Sequence, residues 1–63
     1  MTLDEFRKEK GLTYAALARG LGVSHATIVR RWCIGDKMPA KRYMVAIQEL
    51  TQGAVQPNDF YRN

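Results

Sequence analysis

A chain of 63 residues has room for one domain with one small core, which excludes a second folded unit and an enclosed catalytic pocket. A hydrophobic share of 46% beside 25% charged residues, with only two prolines and five glycines, is the balance of a chain that folds. The formal net charge of +4 favours an anionic partner.

That charge is unevenly placed. Between positions 19 and 42 six basic residues (Arg19, Arg30, Arg31, Lys37, Lys41, Arg42) meet one acid, Asp36, so this stretch carries +5 and the remainder −1. A local excess is what a binding face requires. Cys33 is the only cysteine and cannot form an internal disulfide, and no positive-then-apolar leader opens the chain. No run approaches the roughly 20 apolar residues that span a bilayer, the longest mostly apolar stretch being Tyr43 to Ile47. A soluble protein of a reducing cytoplasm is expected.

Thr2-Leu3-Asp4-Glu5 has the form of a capping box and predicts that the first helix starts there, with Leu3 and Phe6 on one face. Arg7, Lys8 and Lys10 suit its negative end, and Gly11 supplies the stop. Thr13 is the next cap, opening a second helix from Tyr14 through Arg19, with Leu17 and Leu21 four apart. Gly22 marks a sharp turn, and Ser24 is expected to cap a third helix running to about Ile34, closed by Gly35. After the polar Asp36-Lys37-Met38, Pro39 suits the first position of a fourth helix running from about Ala40 to Gln52 and stopped by Gly53. Tyr43, Met44, Ile47 and Leu50 follow the spacing of a buried stripe in it. Val55 reads as a core anchor and Pro57 to Tyr61 as a terminal turn of helix, with Asp59 near its positive end and Phe60 or Tyr61 packing inward. The expected fold is all-α, a compact bundle of about five short helices forming one domain over residues 1–63.

The informative segment is 14–33. Two helices that cross at a tight turn need a small residue where they touch and a turn glycine four residues later, and Ala18 and Gly22 meet both needs. Leu17, Leu21, Val23, Ile28 and Trp32 are the apolar residues expected to lock the pair to the body. Thr13, Leu17, Ala18, Leu21, Gly22, Val23 and Ser24, followed by Trp32, Gly35 and Pro39, resemble the helix-turn-helix of the phage Cro and repressor superfamily, the XRE type. The likeness runs from Thr13 to about Leu50. Two departures stand out: Ile28 and Trp32 are four residues apart where many members have three, and Cys33 stands where a glutamate often follows the tryptophan.

The resemblance implies a lambda-repressor-like DNA-binding domain whose third helix enters the major groove. With Ile28 and Trp32 turned inward, the opposite face carries His25, Ala26, Val29 and Arg30, to which the resemblance gives base-reading roles. Arg30 suits guanine O6 and N7, His25 a purine N7, and Ala26 and Val29 the methyl of thymine. Phosphate contacts are expected from Thr13 and Tyr14 at the start of the second helix, from Thr27, and from Lys37, Lys41 and Arg42 around the start of the fourth.

The implied function is a transcriptional regulator, a phage or prophage Cro-like repressor in a bacterial cytosol and nucleoid, binding a two-fold operator in double-stranded DNA as a homodimer. The dimer surface is expected on the C-terminal part, from the fourth helix to Phe60 and Tyr61. The alternative is the same fold used as a protein-binding adaptor or antitoxin-like inhibitor. No cofactor, metal, membrane or small-molecule ligand is expected: there is one histidine, and Asp4, Glu5, Glu9, Asp36, Glu49 and Asp59 form no catalytic motif.

Overall fold

The computed structural model describes residues 1–61. Its first helix, α1 (Leu3–Lys10), begins at a complete capping box: the Glu5 amide donates to Thr2 Oγ1 at 3.1 Å and the Thr2 amide to Glu5 Oε1 at 2.7 Å. Two donors that the helix cannot satisfy are thereby used. In α2 (Tyr14–Leu21) Thr13 caps through its hydroxyl, which accepts from the Ala16 amide at 3.0 Å. Helix α3 (Ala26–Ile34) and helix α4 (Lys41–Leu50) follow. The fifth expected element is a single turn of 3-10 helix, Pro57–Phe60, closed by Asp59 Oδ2 accepting from the Gln56 amide at 2.8 Å.

Helix α2 is the centre of the assembly, packed on α3 and α4, while α1 closes against α3. The core joins Leu3 and Phe6 of α1, Leu17, Ala18 and Leu21 of α2, Val29 and Trp32 of α3, Ile47 of α4, and the loop residues Val23 and Val55. Ala18 is 3% exposed, the small residue the α2–α3 crossing needs, and Val55 is the expected anchor. Thr51 is the buried polar side chain among the described residues; its hydroxyl donates to the Ile47 carbonyl at 2.8 Å and accepts from the Val55 amide at 3.1 Å, joining the end of α4 to the segment that returns over the core. Arg7 ties α1 to the start of α2: it donates to Asp4 Oδ1 at 2.9 Å and to the Leu12 carbonyl at 3.1 Å, and its guanidinium lies 4.3 Å from the centre of the Tyr14 ring.

Helix α4 is shorter than expected. Ala40 is its cap residue, so Pro39 lies one residue outside, buried in an extended connection that a fixed φ suits. Leu50 departs from the predicted stripe: it is 40% exposed and lies over Gly20 of α2, where even a Cβ would make only an ordinary contact with it at 3.6 Å. Phe60 packs against the core and Tyr61 is 65% exposed, so the inward residue of the terminal turn is Phe60.

The turn between α2 and α3 fixes the orientation of the site. Gly22 has φ 73, left-handed, and its amide donates to the Ala18 and Arg19 carbonyls, while the Val23 amide donates to Ala18 O at 2.9 Å. This closure ends α2 and throws Val23 into the core. A Cβ at position 22 would meet nothing within 4 Å, so the whole cost of Gly22→Ala is the backbone conformation. The expected loss is about 1 kcal/mol, seen as a lower midpoint in urea unfolding with an unchanged helical spectrum when folded.

Candidate nucleic-acid interface

Helix α3 begins one residue later than the sequence suggests. Ser24 lies in the turn, and His25 is the cap residue, with extended backbone angles and no side-chain bond to the helix. The inward stripe is Ala26, Val29, Trp32 and Cys33, positions three, three and one apart. Val29 is 0% exposed and Trp32 6%, whereas Ile28 is 38% exposed. The expected pairing of Ile28 with Trp32 is therefore corrected: Val29 is the core residue, three before the tryptophan, and it does not face outward.

The reason lies in what each stripe would bury. An inward Ile28 draws His25, three residues earlier, toward the core with it, and burying an imidazole without partners is costly. An inward Val29 draws in the alanine at 26 and the cysteine at 33 instead. Burial pushes the Cys33 thiol up to about 11, so it is neutral at physiological pH and serves as a small apolar filler.

Of the four expected base-reading residues, Val29 is thus enclosed, His25 and Arg30 are exposed, and Ala26 is half-buried at the first helical position. Opposite the buried stripe stand Thr27 and Arg31, flanked by Ile28 on one side and by Arg30 and Ile34 on the other. The outward face is wider than the sequence suggests, and Ile28 and Arg31 are the residues missed. The signal that finds them is the family's common three-residue spacing before the tryptophan, met here by Val29 and not by Ile28. Arg31 also has a local partner, its Nε lying 3.7 Å from Asp36 Oδ2 across the end of the helix.

Among the expected phosphate contacts, Thr13, Thr27, Lys37, Lys41 and Arg42 are exposed, and Tyr14 is half-buried beneath Arg7. Helix α4 meets α3 through an aromatic contact: the Trp32 and Tyr43 rings are 5.4 Å apart, inclined at 44°, and the Arg42 guanidinium lies 4.8 Å from the centre of the Tyr43 ring. The Arg42 fork also donates to Tyr43 Oη at 3.4 Å. The Trp32–Tyr43 contact thus places the first turn of α4, which carries Lys41 and Arg42, beside α3. No helix of the described residues is long and apolar enough to cross a membrane.

A helical pair closed by a left-handed glycine, with an exposed basic second helix, now meets an independent finding. No curated protein and no solved structure matches the chain significantly. A family model described as Helix-turn-helix matches residues 3–54, from the start of α1 to just beyond α4. The chain belongs to the XRE-type helix-turn-helix family of DNA-binding proteins.

Proposed function

We propose that the protein is a sequence-specific transcriptional repressor of the phage Cro type, binding a two-fold operator in double-stranded DNA as a homodimer. Its family membership makes it a DNA-binding regulator; the repressor role, the operator symmetry and the pairing are the parts proposed. The observation that carries the reading is the run of exposed cations from α3 to the start of α4: Arg30 and Arg31 on α3, Lys37 in the following loop, and Lys41 and Arg42 in the first turn of α4. A helix entering the major groove between two negatively charged backbones needs cations on the helix and beside it.

Pairing follows from size. One domain whose longest dimension is 26 Å offers few contacts, and two copies side by side are long enough to set their α3 helices one turn of duplex apart, roughly 34 Å, the half-site spacing of helix-turn-helix dimers. The C-terminal part remains the proposed dimer surface, since it leaves the cationic face free; Val45 at 49% and Tyr61 at 65% exposure are its apolar contributions.

In base reading, His25 and Arg30 keep their proposed roles, while Ala26, half-buried on the inward stripe, is given none. Arg30 makes paired hydrogen bonds to guanine, worth about 1 to 3 kcal/mol of discrimination. The test is a mobility-shift assay on a random duplex pool followed by sequencing of the bound fraction. An enriched palindrome is the expected result, and Arg30→Ala then loses preference at one base pair per half-site. Equal weakening on every sequence refutes base reading by Arg30, and no shift even at low salt refutes the repressor in favour of a protein-binding role.

A further inference from the structure

Ile28 is an apolar side chain that lies outside the core. It is 38% exposed on the third position of α3, in the first turn of the helix that enters the groove, while the core is completed by its neighbour Val29. A β-branched residue adds little to a short helix by its own propensity, so its presence is not explained by helix formation. Its surroundings are specific. Ile28 and Trp32 form the apolar part of an open cleft of about 270 Å³ whose remaining lining is Arg31 and Lys37. An aliphatic branch thus shares one open cleft with an indole and with two cations that suit flanking phosphates.

We propose that Ile28 is a specificity-determining contact that reads the 5-methyl group of a thymine in the major groove. This rests on the DNA-binding reading above and assigns to Ile28 the apolar readout that the buried Val29 cannot perform. The chemistry is that of an apolar edge: the thymine methyl is the one apolar group the base pairs present in that groove, and Arg31 and Lys37 place Ile28 over the bases by engaging the backbone on either side. Burying one methyl-sized group against an aliphatic side chain corresponds to about a four-fold gain in affinity.

The experiment takes the selected duplex and replaces each thymine singly by uracil, which deletes the methyl and leaves pairing and charge unchanged. For the wild-type chain one position in each half-site is expected to weaken binding about four-fold when substituted. Ile28→Ala is expected to bind the thymine duplex about four-fold more weakly for each half-site and to be indifferent to uracil at that position, while Ile28→Val keeps part of the sensitivity. The wild-type scan does not depend on the folding of any variant, and Ile28, being exposed, is replaceable without loss of the helical spectrum. A bound duplex in which no thymine is methyl-sensitive, or the same sensitivity in Ile28→Ala as in the wild type, overturns this proposal alone. Failure to bind any duplex overturns the DNA-binding reading together with it.

Discussion

Val29→Asp leaves the chain unfolded at room temperature, whereas Ile28→Asp, one residue earlier, leaves it folded. The contrast follows from burial alone. Position 29 is 0% exposed among Ala26, Trp32 and the α2 side of the core, and an aspartate there is a charge with no partner and no water. The penalty is several kcal/mol, and a core in a domain of this size rarely supplies more than about 3 to 5 kcal/mol of net stability. Position 28 is open to solvent and lies in the first turn of α3, where a carboxylate is favoured by the helix dipole by about 0.3 to 1 kcal/mol. The milder Val29→Ala removes two methyl-sized groups and leaves a cavity, a loss of about 2 kcal/mol. Far-UV circular dichroism with urea titration reads all three. If Ile28→Asp unfolds the protein and Val29→Asp does not, the orientation of α3 described above is wrong, and the outward face must be redrawn.

If the protein binds an operator as the proposed homodimer, its affinity is expected to fall about 10⁴-fold when monovalent salt is raised from about 50 to about 200 mM. Each protomer presents Arg31, Lys37, Lys41 and Arg42 outward, together with the hydroxyls of Thr13 and Thr27. Taking about four neutralised phosphates per protomer, the proposed dimer would release about eight condensed counterions, and the expected slope of log affinity against log salt is roughly −7. Lys41→Gln removes one of these contacts from each half-site, so the slope becomes shallower by about 2 while the selected sequence is unchanged, because a phosphate contact carries no base identity. Fluorescence anisotropy with a labelled operator across a salt series measures both. A nearly flat dependence removes the cationic face from the interface.

Much of the fold was readable in the sequence because its boundaries are written in local chemistry. Thr2 with Glu5, Thr13, Gly11, Gly22 and Gly35 are caps and stops whose action depends on a few neighbouring atoms, and each ends or begins a helix where expected. The rotation of α3 about its own axis is a different kind of fact. Ile28 and Val29 are both aliphatic and both at helical spacing from Trp32, four residues and three, so periodicity alone admits either as the core residue. What separates them is the company each brings inward, His25 in one case and Ala26 with Cys33 in the other, together with a start of α3 one residue beyond Ser24. The exposure of Leu50 escaped for a similar reason: its spacing in α4 fits the stripe, but the element it meets is the backbone at Gly20 on the rim of α2, which only the packed molecule shows. For the candidate interface, the cations were evident from the charge count, while Ile28 and Arg31 depended on that rotation and were not.

Helix α3 divides its labour by angle. Val29, Trp32 and Cys33 hold it in place, and Thr27, Ile28, Arg30, Arg31 and Ile34 contribute nothing to the enclosed core. Mutational drift on the outer set is therefore nearly free of any penalty in folding, while the inner set is constrained irrespective of what the molecule recognises. A lineage built on this scaffold is able to acquire new targets by single replacements at those outer sites, each intermediate remaining a viable, well-folded domain.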